Sequence, residues 1–132
     1  MLVFVLVSII IVIISMSIKV VIKGEPCSKA NSRRLVKSKT GRPLFIKSQK
    51  ALDYVKGFGK QCPQLDELMT EDVAVDITIY YASRRPDLDE SLILDCLQGL
   101  VYKNDRQVKE KHIYWGGVDK ENPRAEIHVR HL

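Results

Sequence analysis

The nine residues Val73–Tyr81 restrict the fold more than any other stretch. They read Val-Ala-Val-Asp-Ile-Thr-Ile-Tyr-Tyr. Val73, Val75, Ile77, Ile79 and Tyr81 share one face, and Ala74, Asp76, Thr78 and Tyr80 the other. A period of two in β-branched and aromatic residues predicts a strand. The strand runs directly into Arg84-Arg85-Pro86-Asp87-Leu88-Asp89-Glu90. A polar loop that ends a strand and opens a helix is a common seat of chemistry.

The flanks supply partners for this strand. Ser17-Ile18-Lys19-Val20-Val21-Ile22-Lys23 alternates as a half-buried strand, with Ile18, Val20 and Ile22 inward and Lys19 and Lys23 outward. Ser48 predicts an N-cap for a helix over Gln49 to Phe58, with Ala51, Leu52, Val55 and Phe58 on one apolar face and Gly57 and Gly59 helping to end it. Gln107 to Trp115 predicts a strand. Gly116-Gly117 through Asn122-Pro123 is a turn-rich connection, and Arg124 to Arg130 alternates with Ala125, Ile127 and Val129 inward. These last two strands read as an antiparallel pair closing the sheet, with Tyr114 and Trp115 as core or dimer contacts rather than base-stacking groups. A chain of 132 residues suits a single domain. The expected fold is α+β in β-α-β-α-β-β order, a mixed sheet with two helices over residues 17–132, preceded by an apolar segment over 1–16.

That apolar segment leaves two readings open. Leu2 to Ile18 carries no charge and is rich in Val, Ile and Leu. It falls slightly short of the ~20 residues that span a bilayer, yet it could insert as an anchor with Lys19 and Lys23 at the headgroups. Alternatively, Met16 is the true start and the strand begins there. A signal peptide fits poorly, since no basic stretch precedes the apolar run.

The formal net charge is +5, which favours an anionic partner. The cations concentrate between Ser28 and Ala51, where Lys29, Arg33, Arg34, Lys37, Lys39, Arg42, Lys47 and Lys50 occur with no acidic residue. A one-sign stretch of this density repels itself unless something binds it. It reads as a loop tracking a phosphate backbone. Cys27, Cys62 and Cys96 are odd in number and lack CxxC spacing, which speaks against a disulfide framework or a zinc site. Cys96 reads as a buried small hydrophobe. Reduced thiols imply a cytoplasmic placement, with membrane anchoring as the alternative. His128 and His131 read as surface histidines of a terminal strand.

The acidic loop asks for more than capping. One aspartate after Pro86 would suffice to N-cap a helix. Asp87, Asp89 and Glu90 place three carboxylates within four residues. Two carboxylates ~4 Å apart repel by about 4 kcal/mol at an effective dielectric of ~20. A divalent cation removes that penalty, and hard oxygen ligands suit Mg²⁺ or Mn²⁺. The predicted helix runs through Leu92 to Leu100, with Asp95 either on its exposed stripe or supporting the site. The reversal at Tyr102-Lys103-Asn104-Asp105 is expected to return Asp105 to the same edge of the sheet. Arg84 and Arg85 would bind phosphate beside the metal.

Asp-Leu-Asp at 87–89, Leu94-Asp95-Cys96-Leu97, and Tyr102-Lys103-Asn104-Asp105-Arg106-Gln107-Val108 resemble the signature of RusA-type Holliday junction resolvases. Gly24-Glu25-Pro26 to Arg34 is similar to that family's first loop. The resemblance implies that Asp87, Asp89 and Asp105 are the catalytic, metal-binding residues. It also implies a homodimer that cuts branched, four-way DNA with Mg²⁺ or Mn²⁺. Arg33, Arg34, Lys37, Arg84, Arg85 and Lys103 are the expected DNA contacts, with Glu90 and Asp95 as accessory positions. The chain departs from the pattern in two places. Glu90 replaces the family's asparagine, and a helix about two residues shorter leaves its lysine unmatched; Lys103 and Arg85 are the candidate substitutes. A non-catalytic junction-binding protein of the same fold and a small membrane-anchored basic protein are the alternatives.

Overall fold

The computed structural model describes residues 17–31 and 33–132. The anchor and start-site readings of residues 1–16 lie outside the described residues. Among these, no helix is long and apolar enough to cross a membrane.

The element order is β1 (Ser17–Lys23), β2 (Arg33–Lys37), β3 (Pro43–Lys47), α1 (Gln49–Gln61), β4 (Val73–Tyr81), α2 (Ser91–Leu97), β5 (Val108–Val118) and β6 (Arg124–His131). The α+β class, two helices and mixed sheet are as expected. The addition is the β2–β3 hairpin, a separate two-stranded sheet that replaces the expected basic loop. Leu35-Val36 and Leu44-Phe45-Ile46 flank a Ser38-Lys39-Thr40-Gly41 turn, a hairpin pattern masked by the cations between them.

The main sheet has the order β1-β6-β4-β5. β6 lies antiparallel to both β1 and β4, and β5 runs parallel to β4. The expected β5–β6 pair is therefore corrected: the short 119–123 connection carries the chain over the end of β4. Asp119 donates its N–H to the Tyr81 carbonyl as it passes (2.8 Å). Skipping a strand gives the most apolar strand a hydrogen-bonded neighbour on both edges, which satisfies its buried backbone groups. Gly116 lies at the far end of β5, where a Cβ would sit 2.7 Å from the Tyr80 ring.

The core forms where α1 and α2 cover one sheet face. Val73, Val75, Ile77, Ile79 and Tyr81 are buried as the alternation predicts, and Ala125, Ile127 and Val129 join them from β6. β1 contributes Ile22 fully, with Ile18 and Val20 packed at the margin. Ser48 caps α1 as predicted, accepting from the Ala51 N–H (3.2 Å). The buried face of α1 is Ala51, Tyr54 and Phe58, whereas Leu52 is exposed. Gly57 and Gly59 do not end the helix; it continues to Gln61. Extended Cys62 ahead of Pro63 stops it, since the residue before proline disfavours the helical region.

Tyr114 and Trp115 are not core residues; they stand 55% and 41% exposed on the edge strand β5. Trp115 still stacks on Tyr81, with ring centroids 5.3 Å apart. All three cysteines are free and buried. Burial raises their thiols, Cys96 to about 12, so they remain protonated and act as small hydrophobes.

Candidate functional site

The acidic loop leaves the end of β4 and is fastened by two residues that the sequence reading passed over. The Tyr81 hydroxyl donates to the Asp87 carbonyl (3.0 Å) and accepts from the Asp89 N–H (3.2 Å). Burial raises the Tyr81 phenol, which keeps its proton in place for this bridge. Glu25 accepts from the Ala82 N–H (2.8 Å) and pairs with Lys50 of α1 at 3.4 Å. One carboxylate thus ties the chain after β1 to both the loop and the first turn of α1.

Asp89 is the most engaged of the aspartates. Its Oδ1 accepts from the Ser91 N–H and its Oδ2 from the Lys29 N–H, each at 2.8 Å. Partial burial opposes its ionisation. Hydrogen bonds from Ser91 and the Lys29 amide, with the Lys29 charge, outweigh burial and hold the carboxyl below its ordinary range. Asp87 is exposed, and its carboxylate makes no hydrogen bond or ion pair among the described residues.

α2 begins at Ser91 and is capped by Glu90, which makes no side-chain hydrogen bond to the helix. The expectation that Asp87 or Asp89 occupies the cap position shifts accordingly: Asp89 bonds the first helical N–H from one residue further out. Glu90 instead reaches Lys111 of β5 at 2.6 Å. Lys111 brings a cation to the loop from another element, a contact that sequence spacing does not reveal. Gly99, at φ 85°, turns the chain after α2. Asp95 is exposed, on the outer stripe of the helix.

Asp105 occupies the other end of α2. Its N–H donates to Gln98 Oε1 (3.0 Å), and Asn104 and Gln107 form a reciprocal capping box around the 105–107 turn. The Gln107 amide nitrogen also donates to the Met69 and Glu71 carbonyls, both at 2.8 Å. The Asp105 carboxylate makes no hydrogen bond or ion pair among the described residues. Because β4 and β5 are parallel, with Val73 beside Val108, Asp105 stands at the sheet edge where β4 begins. Asp87 and Asp89 lie in the loop that follows the other end of β4; that loop comes back along the sheet far enough for Glu90 to meet Lys111, the partner of Val75, and α2, ~10 Å long at 1.5 Å per residue, connects it to the 105–107 turn. Among the described residues, no group of three or more histidine, cysteine or acidic side chains could hold a metal ion. The donor set that suits a hard cation is the Asp87–Asp89 pair.

The expected DNA contacts divide between these ends. Arg84 and Arg85 are exposed beside Asp87, and their guanidinium groups make no ion pair among the described residues. Arg85 lines a polar cavity of about 270 Å³ with Glu25, Ser28, Asn31, Lys50 and Ser83. Lys103 lies at the Asp105 end, lining a groove with Asp66, Glu67 and Thr70. Arg34 and Lys37 project from β2; the Arg33 backbone opens that strand, and its side chain lies outside the described residues.

A strand, an acidic loop, a short helix and a second acidic turn frame the candidate site of a small α+β domain. The family model for endodeoxyribonuclease RusA matches residues 23–130, and the chain belongs to that family of Holliday-junction endonucleases. Comparison with curated proteins gives no match.

Proposed function

We propose that the chain is a metal-dependent, structure-selective DNA endonuclease. It resolves four-way (Holliday) junctions in recombination and repair and works as a homodimer with Mg²⁺ or Mn²⁺. The observation that carries this reading, in a chain of this family, is the direct attachment of the basic segment to the acidic loop through the Lys29 N–H and Asp89. The attachment roots a phosphate-binding surface beside the carboxylates.

A divalent cation at Asp87 and Asp89 would supply charge neutralisation and an activated water. The chain's own residues provide the rest. Asp87 offers an unengaged carboxylate. Asp89 keeps the loop in place while retaining spare lone pairs. Arg84 and Arg85 take phosphate oxygens, while Lys111 balances the Glu90 carboxylate. Asp105 acts from the second acidic position, beyond α2.

The test is cleavage of a synthetic four-way junction with Mg²⁺, which should give paired nicks near the branch point. Asp87→Asn should lower cleavage by about 10²–10³-fold while binding persists. Asp105→Asn should also lower it; retained cleavage in this variant would confine the centre to Asp87 and Asp89. Cleavage surviving both changes sinks the assignment.

A second reading is a junction-binding protein of the same fold without turnover. It is favoured by the Glu90–Lys111 ion pair, which occupies a carboxylate of the acidic loop. It predicts salt-dependent junction binding with no metal-dependent nicking.

A further inference from the structure

The β2–β3 hairpin forms its own sheet. Apart from the short turn at Lys29–Asn31, no other helix or strand packs extensively against it among the described residues. Its register runs from Arg33 opposite Lys47 to Lys37 opposite Pro43. The tip is tightly folded. The Ser38 N–H donates to the Arg42 carbonyl (2.8 Å), the Gly41 N–H to the Ser38 carbonyl (2.9 Å), and the Arg42 N–H to Ser38 Oγ (3.2 Å). At φ 81°, Gly41 takes the left-handed position that this turn requires.

We propose that this hairpin is a DNA arm that lies in the major groove of a duplex, with Lys39 and Arg42 at its tip contacting phosphates. The inference rests on the nuclease reading in taking DNA as the partner. Residues 33–47 carry six cations and no acid. Arg34, Lys37, Lys39, Arg42 and Lys47 form no ion pair among the described residues, so their charge is uncompensated.

Shape then selects the partner. The register places Arg34 on one face of the ribbon, and Lys37 and Lys47 on the other. Cations on both faces suit a groove walled by phosphates on two sides, whereas a flat anionic membrane would engage one face and strand the other. Strands ~4.8 Å apart with side chains on both faces fill roughly the 12 Å width of a major groove and exceed the ~6 Å minor groove. Leu35 and Leu44, 59% and 49% exposed on opposite faces, are suited to contact with thymine methyl groups.

The arm's foot fixes where the duplex passes. Ser48 Oγ donates to the Asn31 carbonyl (3.0 Å), closing the base of the hairpin, and the Lys29 N–H anchors it to Asp89. A duplex held by the arm therefore runs beside the acidic loop.

The test compares Lys39→Ala/Arg42→Ala with Lys60→Ala/Lys120→Ala, which removes two exposed cations from elsewhere in the molecule. Both are checked for wild-type circular dichroism. Binding to a duplex and to a four-way junction is measured without metal across a KCl series. The tip variant should bind about tenfold more weakly near physiological salt. Its log K against log[KCl] slope should be shallower by about two, at roughly 0.9 per lost phosphate contact. The control variant should keep the wild-type slope. The major-groove ligand methyl green should compete with wild-type binding. Equal slopes for the two variants would overturn the arm, as would competition by minor-groove distamycin alone. So would a tip variant that loses phosphatidylserine vesicles but not DNA. A wild-type protein that binds with the expected slope but never nicks supports the arm while overturning the nuclease reading.

Discussion

The two ends of α2 both present aspartates, yet they are held by opposite means. At the N-terminal end a carboxylate does the fastening: both Asp89 oxygens accept backbone N–H groups, one from α2 and one from the foot of the basic hairpin. At the C-terminal end neutral amides do it. Gln98, Asn104 and Gln107 fix the turn, and the Asp105 carboxylate is left without a hydrogen bond or ion pair among the described residues. An aspartate whose oxygens are committed to the backbone shapes a site. One whose oxygens are unengaged is available to a ligand. By this contrast the Asp87 and Asp105 carboxylates are unengaged among the described residues, and Asp89 is a structural clamp.

Removing the amide that holds the far end should have the largest effect on stability. Gln107→Ala deletes three hydrogen bonds and strips two of them from the Met69 and Glu71 carbonyls. A loss of about 2 kcal/mol is expected in urea unfolding, since each net bond contributes about 0.5–1.5 kcal/mol. Asp105→Ala in the same turn should change stability by less than about 0.5 kcal/mol. If Asp105→Ala costs as much as Gln107→Ala, the Asp105 carboxylate is engaged in the folded protein.

The clamp at the near end predicts a smaller effect of the same kind. Asp89→Ala should cost about 1 kcal/mol, as loss of a helix-end acceptor does. The same change should make the 29–47 segment more accessible to trypsin, because the Lys29 anchor goes with it. Proteolysis at an unchanged rate would show that Ser48 and Asn31 hold the hairpin alone.

The near end was largely legible in the sequence and the far end was not. The alternation of Val73–Tyr81 located the strand, and three acidic residues within 87–90 marked the loop, because both signals are local. The position of Asp105 depended on strand order. The turn that carries it is held by residues distant in sequence, with Gln107 reaching the Met69 and Glu71 carbonyls, and its place ahead of β5 follows from the parallel pairing of β4 with β5. The non-local partners were hidden for the same reason. Lys111 meets Glu90 across the sheet, and Tyr81 and Glu25 reach the loop through side chains. The hairpin was partly legible: its turn residues were visible, but its charge density suggested a loop. Leu52 lies off the buried stripe, because Tyr54, one turn from Phe58, carries the larger apolar surface into the core.

The smallest effect is one of pH, and its sign follows from the clamp. The Asp89 carboxyl is held below its ordinary value of 3.8 in the folded protein. The unfolded chain therefore binds a proton more readily, and stability rises with pH across that interval. The contribution is complete above about pH 3.8 and is lost as the pH falls through the folded value. Asp89→Asn lacks this titration. Urea unfolding of both proteins between about pH 5 and pH 3 should show the wild-type advantage shrinking as acid is added. An advantage that stays constant over that range would mean that Asp89 owes nothing to its charge. The two ends of α2 would then be fastened alike, by neutral hydrogen bonds.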